Sequence, residues 1–196
     1  MNLRGASVAV YCGSSPGHDP AFLALATELG QALALAGSAV VYGGASVGLM
    51  GAVADAALRA GGRVVGVLPE SLRARELAHG GLSELHITDD MHARKLKMAT
   101  LADGFVALPG GYGTWEELLE IATWRQIGLH RKPLVVINHD GYYDPLRAQI
   151  DRAVAAGFMA PTLRGFIRFV GGVVAAMEHL HGYEAPADEH GKFAPR

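Results

Sequence analysis

Three glycine-rich segments stand where phosphate chemistry would need them: Cys12-Gly13-Ser14-Ser15-Pro16-Gly17, Tyr42-Gly43-Gly44-Ala45-Ser46-Val47-Gly48 and Leu108-Pro109-Gly110-Gly111-Tyr112-Gly113-Thr114. Each follows a strand-like run and opens a helix-like one. Glycine admits positive φ and lets a backbone approach a ligand closely, while a helix start aims free N–H groups and partial positive charge at an anion. Together the three turns describe a phosphate cradle, with Gly13, Ser14, Gly43, Gly44 and Gly110 as candidate contacts. Tight strand-to-helix turns also use glycine for geometry alone, so each of the first two turns taken singly has that second reading. None is a dinucleotide fingerprint, because the spacing from Gly43 to Gly48 is wrong and Arg63 and Val64 occupy the region where an acidic residue would be needed. No GxxxxGK[ST] loop occurs either. A mononucleotide or sugar phosphate fits better than NAD or ATP.

Charged groups flank the third turn. Thr114 and Glu117 form the Thr-x-x-Glu pattern of a capping box, which explains Glu117 structurally. Glu116 and Glu120, four apart, read as a solvated helix face. In Asp89-Asp90-Met91-His92-Ala93-Arg94-Lys95 the acidic residues suit a helix start and the two cations oppose its dipole, at about 0.3–1 kcal/mol each if exposed. A bound anion would offset that cost, and the planar fork of Arg94 suits phosphate or carboxylate. His92 has no neighbours that complete a triad. His79, His86, His130, His139, His179, His181 and His190 show no ligand spacing, so no metal is expected.

The elements that must position these groups follow from an alternation of valine- and isoleucine-rich runs with segments of helical period, which predicts a parallel sheet covered on both faces. Strands are expected at 7–12, 39–42, 63–68, 84–87, 104–108, 133–138 and 165–170, and helices at 20–36, 48–60, 92–102, 114–127, 145–156 and 173–180. Asp19-Pro20 and Asp144-Pro145 read as N-caps followed by proline, and Gly37, Gly61 and Gly157 as left-handed helix stops. The fold class is α/β, a single doubly wound Rossmann-like domain over 1–183, with 184–196 as a flexible tail. Ligands of such folds bind beyond the carboxyl ends of the strands, where the three glycine turns lie.

Half of the 196 residues are hydrophobic, enough for one sizeable core, and the formal charge of -2 gives no reason to expect nucleic acid or a membrane surface as partner. Cys12 is the sole cysteine and reads as a small buried hydrophobe. The first residues lack the pattern of a signal peptide and no apolar stretch reaches spanning length, so a cytoplasmic location is expected.

With these residues in view, the chain resembles the LONELY GUY family of cytokinin riboside 5′-monophosphate phosphoribohydrolases, whose bacterial members were often labelled lysine decarboxylases. Pro109-Gly110-Gly111-Tyr112-Gly113-Thr114-Trp115-Glu116-Glu117 fits that family's PGGxGTxxE, and Met91-His92-Ala93-Arg94-Lys95 its MHxRK. Cys12 to Ser15, Tyr42-Gly43-Gly44 with Gly48 to Gly51, and Arg75-Glu76-Leu77 support the match, which runs from about Ser7 to Leu180. Ala45 stands where many members have a third glycine. The resemblance implies that Arg94 and Glu117 are catalytic and that Glu76, Lys95, Gly111, Tyr112, Gly113, Thr114, Glu116 and Thr123 contact an AMP or N6-modified AMP. It also implies a homodimer with sites near the interface, and no cofactor. Two rivals remain: a nucleotide-binding module without catalysis, and the old decarboxylase label, which needs a Schiff-base lysine among Lys95, Lys97, Lys132 and Lys192.

Overall fold

The computed structural model describes residues 1–73 and 78–186. Seven strands form one wholly parallel sheet: β1 (Ser7–Tyr11), β2 (Ala39–Tyr42), β3 (Val64–Pro69), β4 (Glu84–Thr88), β5 (Gly104–Ala107), β6 (Leu134–Ile137) and β7 (Arg168–Val170). Their spatial order is β4-β3-β2-β1-β5-β6-β7. The chain therefore builds outward from β1 to β4, then returns to lay β5 on the opposite side of β1. That reversal leaves a crevice beyond Tyr11 and Ala107, which are paired in register.

The helices are α1 (Pro20–Leu35), α2 (Gly48–Arg59), α3 (Glu70–Arg73), α4 (Met91–Leu101), α5 (Tyr112–Gln126), α6 (Asp144–Ala155) and α7 (Val173–His181). Two apolar layers hold them to the sheet because successive strand side chains point to opposite faces. On one face Val8, Val10, Val40 and Tyr42 meet Leu25 and Leu29 of α1, Leu49 and Val53 of α2, and Leu180 of α7. On the other, Ala9, Tyr11, Val41 and Phe105 meet Met98 of α4, Leu118 and Ile121 of α5, and Ile150 of α6. Central strands β3, β5 and β6 are buried throughout, whereas edge strand β4 alternates, as a sheet with exposed margins requires.

Most expected boundaries hold within a few residues. Asp19 caps α1 by accepting from the N–H of Ala21, and Gly37, Gly61 and Gly157 adopt φ of 77°, 76° and 80°. Three expectations need correction. Asp144 is not an N-cap: it is the first residue of α6, and its carboxylate accepts from Asn138 Nδ2 at 2.8 Å and pairs with Arg147 at 3.0 Å. Strand β7 starts at Arg168 and not at Gly165, because the 3-10 turn Pro161–Phe166 takes up Gly165 and Phe166. The short helix α3 was not anticipated, and the expected tail lies outside the described residues beyond 186.

Candidate functional site

Helix α5 begins one turn earlier than a Thr114 cap would place it. Gly111 is the N-cap, and the first intrahelical bond runs from the N–H of Trp115 to the Gly111 carbonyl at 3.0 Å. The amides of Tyr112, Gly113 and Thr114 consequently have no carbonyl a turn behind them to bond, and they face the crevice with the positive end of the helix dipole. Gly111 to Thr114, with Gly13 and Ser14 of the β1–α1 turn, line a cleft of about 260 Å³. The two turns are stitched together: Gly13 N–H donates to the Pro109 carbonyl at 3.1 Å, and Leu49 N–H donates to the Gly13 carbonyl at 3.1 Å. Gly110 packs against Thr114 Oγ1 and lies so near the Gly13 amide that a Cβ there would approach it to 2.8 Å.

The earlier start of α5 also moves Glu117 into the helix body, and the capping box is not made. Instead its carboxylate Oε1 accepts from Arg94 Nη1 at 2.7 Å, with the side chains only 7% and 6% exposed. The reason is energetic: a carboxylate this deep needs a charged partner far more than a helix start needs a cap. Arg94 is held a second time, its Nε donating to the Val67 carbonyl in the second half of β3 at 3.0 Å. Burial raises the Glu117 carboxyl above the ordinary glutamate range, and the Arg94 guanidinium pulls against that rise. Both residues line the cleft, as do Cys12, Met50, Leu72 and Met91.

Lys95 is also buried rather than exposed in a first turn, and its ammonium is shared between Glu116 and Glu120. The pair read as a solvated face is thus a clamp joining α4 to α5. The cap of α4 is as expected, with Asp90 accepting from Ala93 N–H at 2.7 Å. His92 is exposed and takes no part.

The structure therefore brings together Arg94, Glu117, Glu116, Gly13, Ser14, Gly111, Tyr112, Gly113 and Thr114 around one cleft. Gly110 supports its floor from behind, and Lys95 reaches it only through Glu116. Gly43 and Gly44 are buried beneath it, Gly43 against the Arg94 guanidinium and Gly44 at φ 84° against Leu68. Thr123 is two turns further along α5, its hydroxyl bonded to the Leu119 carbonyl, in a separate groove with Ile150 and Phe166. Glu76 lies outside the described residues. Sequence reasoning missed Met50, Leu72, Met91 and the Val67 carbonyl. The first three are indistinguishable from core residues by type, and a main-chain carbonyl carries no side-chain signal at all.

Known proteins resemble this chain in sequence and in fold. The profile of a family described as possible lysine decarboxylases matches residues 50–180. A cytokinin riboside 5′-monophosphate phosphoribohydrolase of Rhodococcoides fascians is 49% identical over 87% of this chain and 88% of its own length. One from Arabidopsis thaliana is 46% identical over 93% and 84%, and a probable one from Oryza sativa subsp. japonica is 44% identical over 98% and 85%. Among solved structures, the Moco carrier protein of Chlamydomonas rheinhardtii superposes with a TM-score of 0.67 at 23% identity, covering 92% of this chain and 99% of that one. The molybdenum cofactor binding protein of Rippkaea orientalis gives 0.68 at 23% identity, covering 89% and 94%. At those identities the structural likeness speaks for the fold alone. The sequence relatives, 44–49% identical along 87–98% of this chain, place it in the cytokinin riboside 5′-monophosphate phosphoribohydrolase family.

Proposed function

We propose that this chain hydrolyses the N-glycosidic bond of an adenosine 5′-monophosphate, plain or N6-modified, to give the free base and ribose 5-phosphate. The observation that carries the reading is the buried Arg94–Glu117 pair opening on the same cleft as the bare amides at the start of α5. Water adds its oxygen to the anomeric carbon as the bond to the glycosidic nitrogen breaks, and the electron pair leaves with the purine, which takes up a proton. Positive charge grows on the ribose ring in that step, so a carboxylate beside the ring stabilises it and orients the water. Glu117 fills that role in its ionised form. Arg94 holds Glu117 in place and balances its charge. The amides of Gly111 to Thr114 grip the 5′-phosphate, and this remote binding energy sets the ring against the carboxylate. Met50, Leu72 and Met91 offer an apolar wall for the base, and methionine adapts to varied shapes.

Among the described residues, Lys95 and Lys132 offer the decarboxylase reading no support. Lys95 is committed to two glutamates, and Lys132 precedes β6, at the amino-terminal edge of the sheet away from the cleft.

A second copy of the chain is the partner that the α4–α5 face suits. Met91 and Leu96 on α4, Trp115 and Leu119 on α5, and Leu129 beyond it are all at least 40% exposed, large apolar side chains on or next to the two helices that carry Arg94 and Glu117. The test of the activity is chromatographic: base release from AMP, N6-modified AMP and the matching nucleosides. Release that requires the 5′-phosphate supports the reading. Tight binding of AMP with no base released would leave a nucleotide-binding module instead.

A further inference from the structure

The Tyr42-Gly43-Gly44 turn has two glycines that do different things. Gly44 adopts φ 84°, a conformation that favours glycine, and its neighbours would accept a Cβ only tightly. Gly43 is not among the residues of positive φ, so its backbone would suit alanine. What forbids a side chain at Gly43 is space: an added Cβ would drive into Arg94 Nη2 and approach Met50 Sδ to 3.0 Å. The methionine terminus can yield. The guanidinium cannot, because its Nε is bonded to the Val67 carbonyl and its Nη1 to Glu117.

We propose that Gly43 is a positioning residue for Arg94: by having no side chain it leaves room for the Nη2 end of the guanidinium, and so fixes where Arg94 holds Glu117 against the substrate. This rests on the reading that the Arg94–Glu117 pair does the chemistry. It gives the second glycine turn a task other than holding phosphate, and it explains why a turn buried beneath the cleft carries glycine where its dihedral angles do not require it. Three strands then define the guanidinium: β2 leads into the glycine seat, β3 supplies the carbonyl, and β5 leads into α5, the carboxylate-bearing helix.

A displaced guanidinium shifts Glu117 by a fraction of an ångström to an ångström, and misplacement on that scale costs about 100-fold in rate. Gly43→Ala is expected to lower kcat by that factor while leaving KM for AMP within about threefold. Loss of fit at a phosphate contact would instead fall mainly on KM. The discriminating measurement is a double-mutant cycle with Arg94→Ala. If Gly43 acts through Arg94, adding Gly43→Ala to the Arg94→Ala enzyme changes kcat by less than threefold, because no guanidinium remains to displace. Equal losses in both backgrounds, or no loss in either, overturn the proposal. Should Gly43→Ala fail to fold alone, the double variant must fold and melt with Arg94→Ala, since the collision has been removed; failure of both to fold refutes it as well. Undiminished turnover by Arg94→Ala alone would sink the site reading itself, a different outcome from an Arg94-dependent enzyme indifferent to Gly43.

Discussion

Replacing Glu117 by glutamine separates its chemical role from its structural one. Glutamine keeps the shape and one oxygen acceptor toward Arg94, so the 2.7 Å contact can persist. What it loses is the charge. A hydrogen bond to a charged group contributes about 1.5–3 kcal/mol and a neutral one about 0.5–1.5 kcal/mol, a difference of about 1–2 kcal/mol. Arg94 also keeps its charge at 7% exposure with no anion opposite, and complete loss of a buried partner costs about 3–5 kcal/mol. A destabilisation of about 2–3 kcal/mol lies between these bounds, and in a chain of this size it lowers Tm by about 4–12 °C. The rate should suffer more: loss of the carboxylate beside the developing ring charge is expected to cut kcat about 1000-fold, near 4 kcal/mol of transition-state stabilisation. The assay is base release from AMP at a temperature where circular dichroism shows the variant folded. Full turnover by a variant whose Tm has dropped as expected would refute the catalytic assignment and leave Glu117 as a structural counter-ion.

Other measurements bear on neighbouring groups. Because burial raises the Glu117 carboxyl, with Arg94 opposing, kcat/KM should fall on acidification at a pH above the ordinary glutamate range. An acid whose folded value is raised favours the native state below the unfolded value and loses that advantage as pH rises through the folded one, so Tm in that window should depend less on pH in Glu117→Gln than in the parent. Lys95→Met leaves Glu116 and Glu120 without the cation between them; it should lower Tm by about 2–8 °C and raise KM through a displaced Glu116, read by melting curves and steady-state kinetics. If the α4–α5 face pairs two copies as proposed, the parent sediments as a dimer and Leu96→Glu as a monomer in analytical ultracentrifugation; the same sedimentation coefficient for both would refute that pairing.

Much of the architecture was legible because strands buried on both faces must be continuous in valine and isoleucine, a pattern that β2, β3 and β6 carry plainly. The failures were local signals that mean two things. Thr114 and Glu117 satisfy a capping pattern, but the winning partner is Arg94, 23 residues away in sequence. Asp144 before proline looks like a cap, yet Asn138 and Arg147 claim its carboxylate. Likewise Arg94 and Lys95 look misplaced near a helix start until their carboxylates arrive from α5. Such pairings depend on the sheet order, which brings the segments together, and no window of neighbouring residues contains it. The motif resemblance pointed to Arg94 and Glu117 without explaining how they meet; the geometry supplies the explanation.

Fastening one guanidinium to two strands and to a helix also shapes how this protein can change over generations. A substitution at Gly43, Arg94 or Glu117 is judged by the other two, so the effect of each depends on its genetic background and tolerated routes through sequence space are narrow. Leu72 and Met91 bear no such ties, and the Met50 thioether beside Gly43 can yield. Drift in base preference should therefore run through these apolar walls while the ion pair stays put, giving enzymes that diverge in what they accept before they diverge in what they do.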